Sequence, residues 1–210
     1  MSRGLFITCE GPEGGGKTTQ IHRLVDSLRT AGLDVLPLRE PGGTTIGEKI
    51  RSLLLDLAES PMQVETEALL FLAARRELVQ DRILPALQAG RIVICDRFAD
   101  ATLAYQGYGR GMDLTTLRTL NAFATNGLQP DLTLLLDLAV EDGLRRRKLD
   151  PAAWNRFDAA SLAFHQQVRQ GYLALAAAEP ERWRVIDAAR TADVVAGDVW
   201  RAVDGALAAM

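Results

Sequence analysis

Five short apolar runs punctuate the chain, at 5–9 (LFITC), 35–38 (VLPL), 92–95 (IVIC), 132–138 (LTLLLDL) and 183–186 (WRVI). Their lengths suit strands buried on both faces, where no polar alternation is required. Between them lie segments whose apolar residues recur every three or four positions, at 18–31, 44–57, 65–89, 114–126, 158–178 and 192–208. These predict amphipathic helices, and the alternation of strand with helix predicts a five-stranded parallel sheet covered on both faces, a three-layer α/β/α class. No repeat, low-complexity tract or linker divides the 210 residues, so residues 1–210 are expected to form a single domain. One composition shift stands out. In GLRRRKLDPAAWNRFD, 143–158, four arginines and a lysine surround Pro151, and this stretch is expected to be a small mobile flap or lid.

Composition narrows the function classes. A formal net charge of -3 gives no general attraction to nucleic acid or to an anionic membrane surface, so basic clusters need local explanations. The cysteines, Cys9 and Cys95, each end an apolar run and read as buried thiols in a reducing compartment. No apolar run approaches ~18 residues and no leader pattern opens the chain, so a soluble cytoplasmic protein with no membrane partner is expected.

The first predicted strand runs directly into GPEGGGKTTQ, 11–20. GPEGGGKT fits the phosphate-loop pattern G-x-x-x-x-G-K-[ST], and it lies between a strand and a helix, as that motif requires. Gly11, Gly14, Gly15 and Gly16 let backbone N–H groups turn inward around an anion, and the helix entered at Lys17, Thr18 and Thr19 adds its dipole. Lys17 is placed to reach outer phosphates and Thr18 to ligate Mg2+. The motif alone gives triphosphate binding and no more, since switches, motors and transferases share it. VICDRF, 93–98, then puts Asp96 and Arg97 at the ligand-binding edge of another strand. Asp96 is a second candidate for Mg2+ and Arg97 for a phosphate, the alternative being a surface ion pair. Arg39 in LREPGGT repeats the arrangement. In EALLFLAARRELV, Phe71 and Arg75 are four apart and share a helix face, offering a ring and a cation to a planar base, or a core residue and a solvated charge. Tyr105 in ATLAYQGYGRG is equally open to a pocket or a packing role.

Together these stretches resemble the thymidylate kinase family from residue 5 to about 178. ITCEGPEGGGKTTQ, LREPGGTTIGE, LLFLAARRE, ICDRFADATLAYQGYGRG, PDLTLLLDL and VRQGYLALA follow the family's order, and REPGGT with DRF and AYQGYGRG is specific to it. The resemblance implies a phosphate-loop NTPase fold and Mg2+-dependent transfer of the γ-phosphoryl group of ATP to dTMP, giving dTDP and ADP in dTTP synthesis. It implies that Phe71 stacks on thymine, that Arg75 and Thr102 contact the base, and that Gln106 lines the same pocket. Tyr105 would sit beside the deoxyribose, Glu13 near the 3′-hydroxyl, and Arg39 and Arg97 at the dTMP phosphate. A homodimer through the helices flanking that pocket is implied by the same resemblance.

Phosphoryl transfer asks for alignment and cations more than for a base, because the acceptor oxygen is already anionic. One branch of the family carries an arginine at the position of Gly14. This chain resembles the bacterial branch, whose lid supplies it, and the candidates are Arg145, Arg146, Arg147 and Arg156. The sequence departs from the family's Asp-Arg-x-Glu at the lid end, reading Asn155, Arg156, Phe157 and Asp158 after PAAW, and Ala101 replaces a serine before Thr102. A phosphate-loop switch is the main rival, but its N-K-x-D signature is missing. A kinase for another monophosphate or a small alcohol would share the loop without REPGGT and AYQGYGR. His22 and His165 lack metal-ligand spacing, and Trp183 and Trp200 are expected to pack, while Trp154 lies in the flap.

Overall fold

The structure is a computed structural model that describes residues 3–56, 62–149 and 154–208. The apolar runs form β1 (Phe6–Glu10), β2 (Val35–Arg39), β3 (Ile92–Asp96), β4 (Leu132–Asp137) and β5 (Trp183–Asp187). They make one parallel sheet in the order β2-β3-β1-β4-β5. Helix α1 (Lys17–Thr30) and α9 (Ala192–Ala208) cover one face, packing on Ile7, Ile94, Leu134 and Ile186. On the other face Phe6, Val93 and Cys95 meet Leu78 and Leu87, while Leu135 meets Val168 and Tyr172 of α8 (Leu162–Ala178). Successive residues of each inner strand are therefore buried on opposite sides, which is why the runs show no polar alternation. Both cysteines are free and buried.

Because every strand runs the same way, their charged last residues, Glu10, Arg39, Asp96, Asp137 and Asp187, share one edge of the sheet. The chain leaves β1 for β2 on one side and reaches β4 on the other, so the phosphate loop emerges at the switch point, where open α/β sheets form their clefts. Cys9 pairs in register with Asp96, which sets the loop beside the β3 end.

Three segments differ from expectation. The helix expected at 65–89 is α3 (Val64–Leu78), a π-helical turn at Val79–Ile83 and α4 (Leu84–Gln88). Pro85 follows the wide turn after one residue and has no N–H to continue the ladder. Residues after DRF, for which no helix was expected, form α5 (Ala99–Thr102) and a second π-helical turn at Leu103–Gly109. The proposed flap begins as helix: α7 (Val140–Lys148) carries the arginine run, and Ser161 caps α8 later than expected, after a turn at 156–159. Part of PAAW, and position 57 at the expected end of the second helix, lie outside the described residues. The remaining helices are α2 (Thr45–Leu55), capped by the Thr44 hydroxyl, and α6 (Leu114–Thr125), capped by Asp113.

Candidate active site

A cleft of about 1130 Å³ runs along the charged sheet edge from the phosphate loop to Phe71 and Gln106. The loop owes its shape to glycine at two kinds of position. Gly16 has φ +82° at the entry to α1, and Gly14, at φ +69°, lies so close to α7 that a Cβ there would stand 2.1 Å from the Gly143 carbonyl oxygen. The arginine that another branch carries at position 14 has no room here while α7 is packed on the loop.

Lys17 is buried beneath the loop, where its Nζ donates to the Gly11 and Pro12 carbonyls at 3.0 and 2.9 Å. Burial, and next the neighbouring Arg97 charge, bring its pKa down to about 8. The Thr18 hydroxyl donates to Asp96 Oδ2 at 3.3 Å, so the two expected Mg2+ contacts stand together. A hydroxyl and a carboxylate on the rim of an open cleft fit an ion that keeps most of its waters. Among the described residues no group of three or more His, Cys, Asp or Glu could cage a metal.

Arg97 takes the left-handed conformation, φ +67°, and aims its guanidinium across the cleft. Its Nη2 donates to Glu13 Oε1 at 2.7 Å and to the Tyr105 hydroxyl at 3.0 Å; Tyr105 in turn donates to Glu13 at 2.7 Å. Burial raises the Glu13 pKa, but Arg97, Lys17 and the Tyr105 bond outweigh it and hold the carboxyl at about 2. Arg39 also lines the cleft, half-exposed, with Nη2 on both Glu48 oxygens at 2.9 Å.

Phe71, Thr102, Tyr105 and Gln106 form the far wall, joined by Phe157, whose ring centre is 5.8 Å from Phe71 and 6.0 Å from Tyr105. Arg75 does not reach the cleft. It is 1% exposed and its five N–H donors are all engaged: two on Glu40 Oε2, and one each on Thr102, Asn121 and the Phe98 carbonyl. Arg75 thus stands behind the pocket wall and donates to the Thr102 oxygen that lines it. Gln106 Nε2 donates to buried Glu67 at 2.8 Å.

The four lid arginines part company. Arg146 Nη1 lies 3.4 Å from the Gly14 carbonyl and 3.3 Å from that of Ala188, and Arg147 holds buried Asp158 through two bonds of 2.8 and 2.7 Å; both line the cleft. Arg145 pairs with Asp142 on the surface. Arg156, another of the four candidates for the transferred phosphate, stands 2.7 Å from buried Glu67 and donates to the Leu54 carbonyl at 3.0 Å, with the Phe157 ring against its guanidinium. His22 is exposed on the cleft rim, and His165 is buried in α8.

Several positions in and behind the cleft escaped sequence reasoning. Arg51 lines the cleft near Arg39 and donates to the Pro41 carbonyl at 2.9 Å; the signal was its place four residues after Gly47 on the buried side of α2. Glu67, Phe157 and Asp158 carry no local pattern, since their partners come from distant segments.

Comparison with known proteins agrees with this geometry. The family profile described as Thymidylate kinase matches residues 9–199. A thymidylate kinase of Thermomicrobium roseum is 56% identical, the alignment covering 94% of this chain and 93% of that protein, and one of Roseiflexus castenholzii is 50% identical, covering 98% and 95%. The crystal structure of thymidylate kinase from Ehrlichia chaffeensis superposes with a TM-score of 0.78 at 34% identity, covering 96% of this chain and 99% of that one. With its phosphate loop at the switch point of a five-stranded parallel sheet and near full-length relatives at this identity, the chain belongs to the thymidylate kinase family.

Proposed function

We propose that this chain transfers the γ-phosphoryl group of ATP to dTMP, forming ADP and dTDP. The observation that carries the reading is a single cleft with a phosphate loop at one end and, at the other, Arg97 beside a pocket of Phe71, Thr102, Tyr105 and Gln106. Lys17 leaves its loop carbonyls for the outer phosphates of ATP. Arg39, Arg51 and Arg97 hold the dTMP phosphate, and the ionised Glu13 keeps Arg97 and Tyr105 in place beside the sugar. Phe71 stacks on the base, while Thr102 donates a hydrogen bond to it. The acceptor oxygen is anionic near neutral pH and needs no general base; the chain's task is to align two phosphates and offset charge as the group moves. Thr18 and Asp96 would hold Mg2+, which when bound would supply neutralisation of the phosphate charge. Arg146 and Arg147 are the arginines placed to complete the cation set, with α7 and the turn after it acting as a lid.

The protein is proposed to work in the cytoplasm as a homodimer, with no nucleic-acid partner. In support, α2, α3 and α6 expose Leu53, Leu69 and Phe123, and no helix among the described residues is long and apolar enough to cross a membrane. Sedimentation velocity tests the dimer. The activity is tested by ADP release from MgATP with dTMP, dUMP, dCMP, AMP, GMP or no acceptor. Strong dTMP dependence is expected; equal ADP without an acceptor, or a preference for another monophosphate, would overturn the reading.

A further inference from the structure

Glu10 ends β1, immediately before the phosphate loop, and no step described above uses it. It is 0% exposed, and both carboxyl oxygens are engaged: Oε1 accepts the Phe98 N–H at 2.7 Å and Oε2 accepts the Tyr172 hydroxyl at 2.8 Å. The first of these bonds touches the residue after Arg97. Among the described residues only Arg97 and Asn126 are non-glycines at positive φ. Asn126 caps α6, where asparagine adopts that conformation readily. An arginine there is held against a cost of roughly 1–3 kcal/mol and needs surroundings that impose it.

The surroundings come from β1. The Arg97 N–H donates to the Cys9 carbonyl at 3.0 Å, continuing the strand pairing by one bond. The left-handed turn then carries the next N–H, that of Phe98, to a place where its acceptor is a side chain. Phe98 is itself 0% exposed, so this N–H has no recourse to water and must find an acceptor inside the protein. The Glu10 carboxyl is that acceptor. Without it, the simplest relief is for Arg97 to leave the left-handed region, which withdraws its guanidinium from Glu13 and Tyr105.

We propose that Glu10 is a positioning residue for the acceptor site: its side chain fixes the turn that aims Arg97 at the monophosphate. The inference rests on the reading of Arg97 as a ligand of the acceptor phosphate. Burial, and next Asp100, raise the Glu10 pKa to about 8 against the opposing effects of Arg97 and its two hydrogen bonds, so the group is mostly neutral at pH 7. A glutamine therefore keeps the acceptor for the Phe98 N–H and the neutral charge, its amide N–H meeting the Tyr172 hydroxyl oxygen in place of the bond that Oε2 accepts.

The test compares wild type, Glu10→Asp and Glu10→Gln. Aspartate keeps the carboxyl but is one methylene too short to reach the Phe98 N–H; glutamine keeps the reach. Calorimetric titration with dTMP in the absence of ATP is expected to give a Kd roughly tenfold or more weaker for Glu10→Asp, and a Kd within about threefold of wild type for Glu10→Gln. KM for ATP is expected to stay unchanged in both, which a general loss of structure would not allow. Wild-type dTMP affinity in Glu10→Asp, or equal weakening in both variants, would overturn the positioning role. A wild type that binds no dTMP would bring down the kinase reading together with this inference, whereas a binding wild type beside an unaffected Glu10→Asp brings down the inference alone.

Discussion

Arg75, behind the acceptor pocket, is 1% exposed and bonded to partners 23 to 46 residues away, whereas Arg145 on α7 is 77% exposed on its side chain and pairs with Asp142 one helical turn back. The same residue type thus stands under opposite conditions behind the acceptor pocket and on the lid helix. Around the acceptor, cations are held by carboxylates, the buried Glu40 for Arg75, the partly buried Glu13 for Arg97 and the buried Glu67 for Arg156. Along α7 only Arg147 has such an anchor, the buried Asp158, while Arg146 rests on carbonyls and Arg145 on a surface carboxylate. Rigid placement suits a site that must recognise a substrate; loosely held cations suit groups that close over phosphates when both nucleotides are present.

The sharpest way to break this contrast is to remove charge from each end. Arg146→Ala and Arg147→Ala together should lower kcat by on the order of a thousandfold, as loss of a transition-state arginine does. Steady-state kinetics would show this, and an unchanged kcat would remove α7 from the chemistry. Arg75→Met should act on stability instead: it strands Glu40 in the interior at about 3–5 kcal/mol, lowering Tm by roughly 10 °C in a thermal melt. A melt within a degree or two of wild type would mean that the buried network is not what holds the pocket.

A smaller effect is expected from Lys17, which spans the two ends. Its pKa is depressed to about 8 because it is buried near Arg97, so below that pH it is charged and above it is increasingly neutral. Phosphates favour the charged form, so ATP affinity should be flat below about pH 8 and fall above it by up to about tenfold per pH unit, with proton uptake on binding. Titration calorimetry in buffers of different ionisation enthalpy measures both, and Lys17→Met should abolish the slope. The smallest change is expected at Arg145, an exposed pair: Arg145→Ala should shift stability by no more than about 0.5 kcal/mol and leave turnover near wild type.

The same contrast explains what could be read from the sequence. Strands, phosphate loop and the strand-end residues Arg39, Asp96 and Arg97 are legible because each depends on local periodicity or on glycine at fixed spacing. Phe71 and Arg75 do share a helix face, yet only Phe71 reaches the cleft; the direction of Arg75 is set by Glu40, Thr102 and Asn121, which no spacing on α3 encodes. Glu10 is hidden for the same reason, its partners lying 88 and 162 residues away. The partner of Arg156 is hidden likewise, because a basic stretch reveals charge and says nothing of the buried Glu67 beside it. The helix and π-helical turn at 99–109 escaped because Gly107 and Gly109 weaken the helical pattern; a Cβ at either would come within 3 Å of Leu114 or Phe164.

The most direct test of the claim that the acceptor end is built independently of α7 is the dTMP Kd, measured without ATP, in wild type and in the Arg146→Ala, Arg147→Ala double variant. The expected result is a Kd unchanged within about threefold while kcat collapses. A Kd that weakens in step with kcat would contradict it, and would make the α7 arginines part of the acceptor site itself.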